Sequence, residues 1–230
     1  MSRTDVVPAG RRQRRRQETI EEVLDIAAEI MAEQGAAGLS IGEIARRMGI
    51  RPPSLYVYFS SKHALFDALF ARGAQGVLAA MEAAAAAHPV ASASTLEQIL
   101  LDQSEVFIRW SLQHAPYAQL LFWRPVPGFT PSPQAHEPAV RMVRLGEEQF
   151  AQLQRRGLLR ADLPAGQILR DWTILTSGVV SQQLANAPDE SFDQGRFTAA
   201  LPGLVSMFAR YYQPPATSAS RRGDTHADEN

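Results

Sequence analysis

Residues 39–62 limit the fold of this chain more than any other stretch, because they predict two short helices joined by a tight turn. Ser40 and Glu43 form a capping box, in which the hydroxyl takes one free N–H at the helix start and the carboxylate takes another. Apolar residues then repeat at helical spacing up to Met48. Gly49 follows where a left-handed C-cap is needed, so the first helix is predicted to end there.

The second helix is predicted to run from Pro52, which suits only a first helical turn, through Phe59. At about 100° per residue, Pro52, Leu55 and Phe59 share one arc and are expected to face the core. The residues that point away from the core or flank this arc are Pro53, Ser54, Tyr56, Val57 and Tyr58. Two tyrosines and a valine on such a face suit entry into a DNA groove, where hydroxyls reach phosphates and an apolar tip meets a thymine methyl group.

This helix-turn-helix pattern resembles the DNA-binding domain of the tetracycline-repressor (TetR) family of bacterial regulators over roughly residues 16–76. The specific features are the capped S-x-x-E-I-A, the turn glycine, the L-Y-x-Y-F block and the lysine three residues later. The resemblance implies that phosphates are held by Ser40, Tyr56, Tyr58 and Lys62. It also implies that base edges lie near Arg51, Pro52, Pro53, Ser54 and Val57. Family members often carry a small residue or glycine where Pro53 stands, and proline has no backbone N–H to offer DNA.

Composition favours a cytoplasmic protein with neither a metal site nor a cofactor. The chain has 230 residues, of which 45% are hydrophobic, enough for a DNA-binding module and one larger domain. It contains no cysteine, which excludes a disulfide, a thiolate nucleophile and a cysteine-ligated metal. The N-terminus lacks the apolar segment of a signal peptide, and no stretch approaches the ~18 apolar residues of a membrane span. We therefore expect no membrane partner.

Charge is distributed unevenly along the chain, although the formal net charge is only −1. Residues 1–16 carry six arginines and one aspartate, whereas residues 73–230 carry 12 basic and 15 acidic residues. We predict a flexible basic arm over residues 1–15, because such arms commonly lie along phosphates or in a minor groove.

Hydrophobic periodicity predicts an all-α fold. Together with the resemblance, it implies an N-terminal three-helix helix-turn-helix DNA-binding domain and a larger C-terminal helical domain for ligand binding and dimerisation. Besides the two short helices, helices are predicted over residues 17–34, 61–87, 95–116, 139–157, 165–186 and 196–212. Five prolines between residues 125 and 138 predict a long loop over 124–138. The predicted organisation is a basic arm over 1–15, a DNA-binding domain over 16–76, a ligand-binding and dimerisation domain over 77–213 and a disordered tail over 214–230.

Large side chains concentrate between residues 95 and 186, which predicts a pocket for a small, mostly apolar molecule. Ligand sites are usually apolar cavities with a few polar groups, and Gln103, His114 and Thr176 are the candidates for those groups. The full set of predicted ligand-binding residues is Gln103, Phe107, Trp110, His114, Tyr117, Phe122, Trp123, Met142, Trp172 and Thr176. The alternative is that the aromatic residues only fill the core.

A two-fold homodimer is predicted, because one helix-turn-helix offers too small an interface for strong specific binding to DNA. The last two long helices are expected to form the seam, meaning the interface between the two subunits, since they carry more apolar surface than their own core needs. The candidate seam residues are Trp172, Leu175, Val179, Phe197, Leu204 and Phe208. In the family that the chain resembles, the final two helices usually form a four-helix interface, so the resemblance and the pattern agree.

The predicted function is a ligand-responsive transcriptional regulator, in the first place a repressor that binds a palindromic operator as a dimer. An activator, a regulator without a ligand and a helical enzyme that uses the aromatic cavity remain the alternatives. The segment G-L-S-I-G at residues 38–42 matches the nucleophile elbow of hydrolases, but that motif needs a preceding strand and a sheet. A helix precedes it here, and the five histidines show no ligand spacing, so we expect that the protein is not an enzyme.

Overall fold

The computed structural model describes residues 9–87 and 95–214, and within these ranges every regular element is a helix and no strand occurs. The helices are α1 (Ala9–Gly38), α2 (Ile41–Met48), α3 (Pro52–Leu55), α4 (Lys62–Ala87), α5 (Leu96–Gln113), α6 (Ala115–Phe122), α7 (Pro133–Arg155), α8 (Ala165–Asn186) and α9 (Leu201–Tyr212). A short 3-10 turn, Thr198–Ala200, precedes α9. The all-α fold class predicted from the sequence is confirmed.

The first helix is longer than predicted, because the basic segment from Ala9 onward is helical. The prediction of a flexible arm is therefore wrong for residues 9–15, and the rest of the arm lies outside the described residues. One ion pair supports the helix at this point, between Arg14 and Glu18 one turn later. Gly35, which was expected to end the first helix, interrupts α1 with φ 70° and ψ 175°.

The proline-rich loop is shorter than predicted, because α7 begins at Pro133 instead of near residue 139. Pro133 occupies the first helical position, where its missing N–H would have no helical partner in any case. Pro138 lies inside the helix and gives up one hydrogen bond, but its ring is buried. Ser132 caps the helix, with its Oγ accepting a hydrogen bond from the N–H of Ala135 at 3.2 Å.

The remaining loop, residues 123–132, is fastened to α4. The N–H and the Oγ of Ser132 each donate a hydrogen bond to the Asp67 carboxylate, both at 2.7 Å. Phe129 lies against the rings of Phe66 and Phe70, with centroids 5.7 Å and 6.4 Å apart. The loop that leads into α7 is therefore tied to the helix that follows the helix-turn-helix.

Two hydrophobic cores hold the helices together. The first is built by α1 to α4 together with Leu120 of α6 and Ala135 of α7. The second is built mainly by α5, α7, α8 and α9. α4 runs through the predicted domain boundary at residue 76 and packs most extensively against α7. It thus connects the helix-turn-helix physically to the C-terminal helices.

By length and composition alone, α4 is long and apolar enough to cross a membrane, and it is the one such helix among the described residues. Its packing offers another reason for that composition. The buried residues of α4 are Leu65, Phe66, Leu69, Phe70, Gly73, Ala74, Val77 and Leu78. They face α1, α5, α6 and α7, as expected for the central helix of a helical protein.

The outward face of α8 and α9 differs from the predicted seam. Trp172, Val179 and Phe208 are buried within the chain's own second core, and the other three candidates are half-buried. The large apolar residues that face outward on these helices are Ile174, Met207 and Tyr211, which are 66%, 69% and 66% exposed. The apolar stripe of each helix packs inward. The prediction that Trp172, Val179 and Phe208 lie in the seam is therefore wrong.

Candidate functional site

The first short helix of the helix-turn-helix begins and ends at the predicted residues. The Oγ of Ser40 accepts a hydrogen bond from the N–H of Glu43 at 3.1 Å. Gly49 caps the other end with φ 66° and ψ 26°, a conformation that favours glycine. Both helix ends are therefore set by local sequence, and α2 is held in a fixed relation to the turn that follows.

The second half of the predicted capping box does not form. The Glu43 carboxylate instead accepts hydrogen bonds from Arg46 at 2.8 Å and 2.7 Å and from Arg47 at 3.1 Å. Charge-assisted bonds to guanidinium groups are stronger than a bond to a neutral backbone N–H. The hydrogen bond from Arg46, with that from Arg47, lowers the pKa of Glu43 to about 2.

The predicted recognition helix is shorter than expected, since α3 has four residues and ends at Leu55, not at Phe59. The chain continues as a turn in which the N–H groups of Tyr58 and Phe59 both donate to the Leu55 carbonyl. Leu55 and Phe59 are buried as predicted. Pro52 is exposed, so its predicted place in the core is wrong, because α3 is anchored by its C-terminal end alone.

The outward face of this segment is apolar and aromatic. Tyr56 is 53% exposed and Val57 is 67% exposed. The residues Arg51, Pro52, Pro53 and Ser54 are also exposed. Tyr58 is half-buried beneath Arg16, whose guanidinium carbon lies 5.2 Å from the ring centroid. All nine residues predicted to contact DNA therefore lie at the start of α2, in or next to α3, in the following turn or at the start of α4.

Arg16 holds this turn from α1. Its Nη1 donates a hydrogen bond to the Val57 carbonyl at 3.3 Å, in addition to the contact with the Tyr58 ring. The sequence placed Arg16 next to a flexible arm, and nothing in the local pattern indicated this long-range contact. The exposed recognition turn is thus braced from one side by Arg16 and from beneath by Leu55.

Positive charge near this face is not neutralised by the chain itself. In the part of the chain that the structure describes, Arg16, Arg51 and Lys62 form no ion pair with a carboxylate. Arg47, by contrast, is paired with Glu33 and Glu43. Lys62 is exposed in the first turn of α4, where a cation is unfavourable for the helix dipole. An anion bound here would remove that penalty.

The C-terminal helices enclose a cavity of about 130 Å³ between α4, α5, α6, α7 and α8. Six of the ten predicted ligand-binding residues line it: Gln103, Phe107, Phe122, Met142, Trp172 and Thr176. The lining residues that were not predicted as ligand-binding include Met81, Ser104, Gln149, Phe150, Leu169 and Ser177. The structure therefore brings together more than half of the predicted residues around one partly open cavity.

The other four predicted ligand-binding residues lie outside this cavity. The Trp110 ring stacks on His114, with centroids 4.8 Å apart and planes 17° apart, and His114 Nδ1 lies 2.9 Å from the Trp110 carbonyl oxygen. Tyr117 lies against α4 at Gly73, and burial raises the pKa of its hydroxyl. Trp123 is 38% exposed and lines a separate groove beside α8.

Gln149 is the most informative lining residue that sequence reasoning missed. It is only 7% exposed, although its side chain is a carboxamide. The available signal was its position beside Phe150 and four residues before Leu153, on the buried stripe of α7. A polar residue on such a stripe needs a partner or a ligand when it is buried.

Residues 23–69 match the family model described as bacterial regulatory proteins of the tetR family. This segment of the chain, which contains the helix-turn-helix, is therefore similar to the DNA-binding segment of the TetR family. It is 43% identical over 49 residues to the tetracycline repressor protein class D of Escherichia coli, a match that covers 21% of this chain and 22% of that protein. The matched region thus spans about a fifth of the length of this curated relative.

Two solved structures of transcriptional regulators share the fold over most of the chain. The regulator PfmR from Thermus thermophilus has a TM-score of 0.60 at 18% identity, covering 82% of this chain and 97% of that chain. The regulator FadR from Bacillus subtilis, solved in complex with stearoyl-CoA, has a TM-score of 0.62 at 13% identity with the same coverage. At these identities the likeness establishes the fold alone, and the sequence-based prediction of a TetR-like chain is confirmed.

Proposed function

We propose that this protein is a TetR-family transcriptional repressor that binds a palindromic operator as a homodimer and is released by a small, mostly apolar molecule. One observation carries the DNA-binding part of this proposal. The exposed Tyr56 and Val57 stand beside Arg51 and Lys62, two cations without carboxylate partners among the described residues. An exposed apolar tip near cations that have no carboxylate partner among the described residues suits a surface that enters a groove between phosphates.

The proposed roles follow from the position of each side chain. Hydroxyl and ammonium groups of Ser40, Tyr56, Tyr58 and Lys62 hold phosphates, which fixes the register without reading sequence. Arg51, Pro52, Pro53, Ser54 and Val57 lie at base edges, where Val57 meets a thymine methyl group. The Oγ of Ser61 accepts a hydrogen bond from the Ala64 N–H at 3.1 Å, and the other N–H groups in the first turn of α4 favour a phosphate, as the start of a long helix does.

The DNA-binding proposal predicts a specific loss in a Lys62→Ala protein. Removing one phosphate contact per subunit should flatten the slope of log affinity against log salt by about one unit per half-site, with similar weakening on all sequences. A gel shift at several salt concentrations, with the intergenic DNA next to the gene for this protein, measures the slope. Arg155→Ala removes the same charge at the far end of α7 and should leave the slope unchanged. An unchanged slope in Lys62→Ala would show that Lys62 does not contact a phosphate.

A second prediction separates the two roles of Ser40. Aspartate caps a helix as well as serine does, so Ser40→Asp should leave the stability of α2 within a few tenths of a kcal/mol. The added carboxylate would face a phosphate, and operator binding should weaken by about tenfold or more. Thr95→Asp is the matched control, because Thr95 caps α5 through the N–H of Gln98 at 3.2 Å, away from the proposed DNA face. Equal operator affinity in both variants would remove Ser40 from the interface.

The release step is supported by the course of α4. This helix carries Lys62 at the proposed DNA face, and Met81 of the same helix lines the cavity. The two residues are separated by about 28 Å at 1.5 Å per helical residue. A ligand in the cavity can shift the protein away from the DNA-binding form only by its difference in affinity for the two forms, so it must contact residues that move with α4.

The alternative of a helical enzyme is weakened by the cavity lining. Among the described residues that line it, none carries a titratable side chain. General acid–base catalysis needs such a group within hydrogen-bonding reach of the substrate. A binding cavity therefore fits these residues better than a catalytic centre, and binding without chemistry is what a sensor requires.

A further inference from the structure

The polar groups around the cavity differ sharply in whether they have partners. Ser104 Oγ donates to the Leu100 carbonyl at 2.7 Å, and Thr176 Oγ1 donates to the Trp172 carbonyl at 3.0 Å. These hydroxyls have used their only donor on the backbone. The side chains of Gln149 and Gln103 form no hydrogen bond with any residue in the described ranges, and both line the cavity.

Gln149 is the stronger indication of a ligand, because the residue is only 7% exposed while its carboxamide is reached from the cavity and forms no hydrogen bond with a described residue. A molecule that enters the cavity can therefore form hydrogen bonds with this carboxamide in place of water. Each carboxamide offers two donor hydrogens and an acceptor oxygen. Two such groups that line one cavity provide both the hydrogen-bond donors and the acceptors that an amide, a phenol or a carbonyl group needs.

The cavity also limits the size of what it holds. Its volume of about 130 Å³ is close to the ~150 Å³ of an engineered apolar cavity in another protein that holds benzene. The apolar part of the lining, which includes Phe107, Phe122 and Trp172, matches a flat ring. A long acyl chain would not fit in this space.

The absence of titratable groups from the described lining limits the charge of the ligand. An anion or a cation moved into such a cavity loses its hydration and gains no opposite charge. We propose that the inner cavity takes an uncharged molecule of single-ring size whose polar group is hydrogen-bonded to the carboxamides of Gln149 and Gln103. This inference rests on the proposed function, since it names the class of effector for the same site.

A larger groove of about 510 Å³ adjoins the cavity and shares with it Phe122, Met142, Val143 and Thr173. Its rim carries Arg144 and Glu147. A substituent too large for the inner cavity would extend into this groove.

Calorimetric titration of the full-length protein with benzamide, benzoate and toluene at pH 7 tests this inference. The three probes share one ring and differ in hydrogen bonding and charge. Benzamide should bind at least about tenfold more tightly than either of the others, because only it is neutral and can pair with a carboxamide. Benzoate binding as tightly as benzamide, or palmitoyl-CoA binding more tightly, would overturn the proposed ligand class.

Variants test whether Gln149 and Gln103 cause the expected preference for benzamide. Gln149→Leu should weaken benzamide about 5- to 30-fold and strengthen toluene, since the unpaired carboxamide is replaced by an apolar group. Gln152→Leu makes the same change at an exposed position of α7 and should leave both affinities unchanged. Gln103→Leu provides a second, independent variant with the same expected direction. Benzamide affinity unchanged in both Gln149→Leu and Gln103→Leu would also overturn the inference.

A gel shift on the same samples keeps this inference separate from the proposed function. If the unliganded protein binds operator DNA but none of the three probes binds, the ligand class is wrong and DNA binding stands. If benzamide binds through Gln149 without weakening DNA binding, the ligand class stands and the effector role is wrong. If benzamide both binds and releases DNA, both are supported.

Discussion

Replacing Ile174 and Met207 together by aspartate is expected to convert the protein to monomers and to weaken operator binding by about 100-fold or more. These side chains are the outward apolar residues of α8 and α9, and each is about two-thirds exposed in the single chain. Burying one side chain of this size in an interface contributes about 1.5–3 kcal/mol. The two aspartates that replace these side chains would each lose hydration in the interface, which opposes association. A monomer holds one half-site, so it loses the gain in avidity of ~10²–10⁴ that two linked half-sites can provide.

Light scattering at micromolar concentration measures the first part of this result, because one chain has a mass of 25.3 kDa. Gel shifts on a palindromic operator measure the second. Gln152→Asp adds a carboxylate to the exposed face of α7 and should leave both mass and affinity unchanged. A stable dimer with unchanged operator affinity in the Ile174→Asp/Met207→Asp protein would place the seam on another surface.

The seam also shows what hydrophobic periodicity can and cannot predict. The pattern of α8 gave its bounds at Ala165 and Asn186, because an amphipathic stripe fixes the length of a helix. It did not say whether the stripe covers the chain's own core or a partner. Trp172 and Val179 turned out to be inside, since α5 and α9 pack over them.

Local chemistry made those helix ends predictable that are set by a capping residue. Ser40, Gly49 and Thr95 each act through atoms within four residues, so a single sequence is sufficient to place them. Pro138 misled the prediction, because its burial among other helices is a tertiary effect. Local rules penalise a proline inside a helix, and they contain no information on the stabilisation that its ring gains when it is buried against other helices.

The cavity was predicted only in part, for a related reason. Trp110 and Tyr117 lie against α4 at two glycines. A Cβ at Gly76 would lie 3.1 Å from the Trp110 ring, and a Cβ at Gly73 would lie 3.0 Å from the Tyr117 side chain. Two glycines three residues apart in α4 thus leave room for the two large rings against the helix, outside the cavity. A sequence reveals that aromatic residues are abundant, but the direction of each ring depends on what the neighbouring helix leaves open.

The second large effect is expected from Leu55→Ala, which should cost about 2–5 kcal/mol of stability and abolish specific operator binding. α3 has four residues, far too few to form a stable helix alone, so its shape depends on tertiary contacts. Leu55 is its one buried side chain and is 0% exposed, and its carbonyl accepts the hydrogen bonds that close the following turn. With this anchor removed, only Phe59 and the contact from Arg16 still hold the exposed Tyr56 and Val57 in place.

Chemical denaturation followed by circular dichroism measures the stability of the Leu55→Ala protein, and hydrogen exchange at residues 50–60 reports whether the loss is local. Ser54→Ala is the matched control, since Ser54 is exposed one residue earlier in the same helix and its replacement should leave the free energy of unfolding within about 0.5 kcal/mol. Normal operator binding by a folded Leu55→Ala protein would show that DNA itself can order this turn. In that case the recognition surface would form on binding, and Leu55 would stabilise the free protein without presetting the interface.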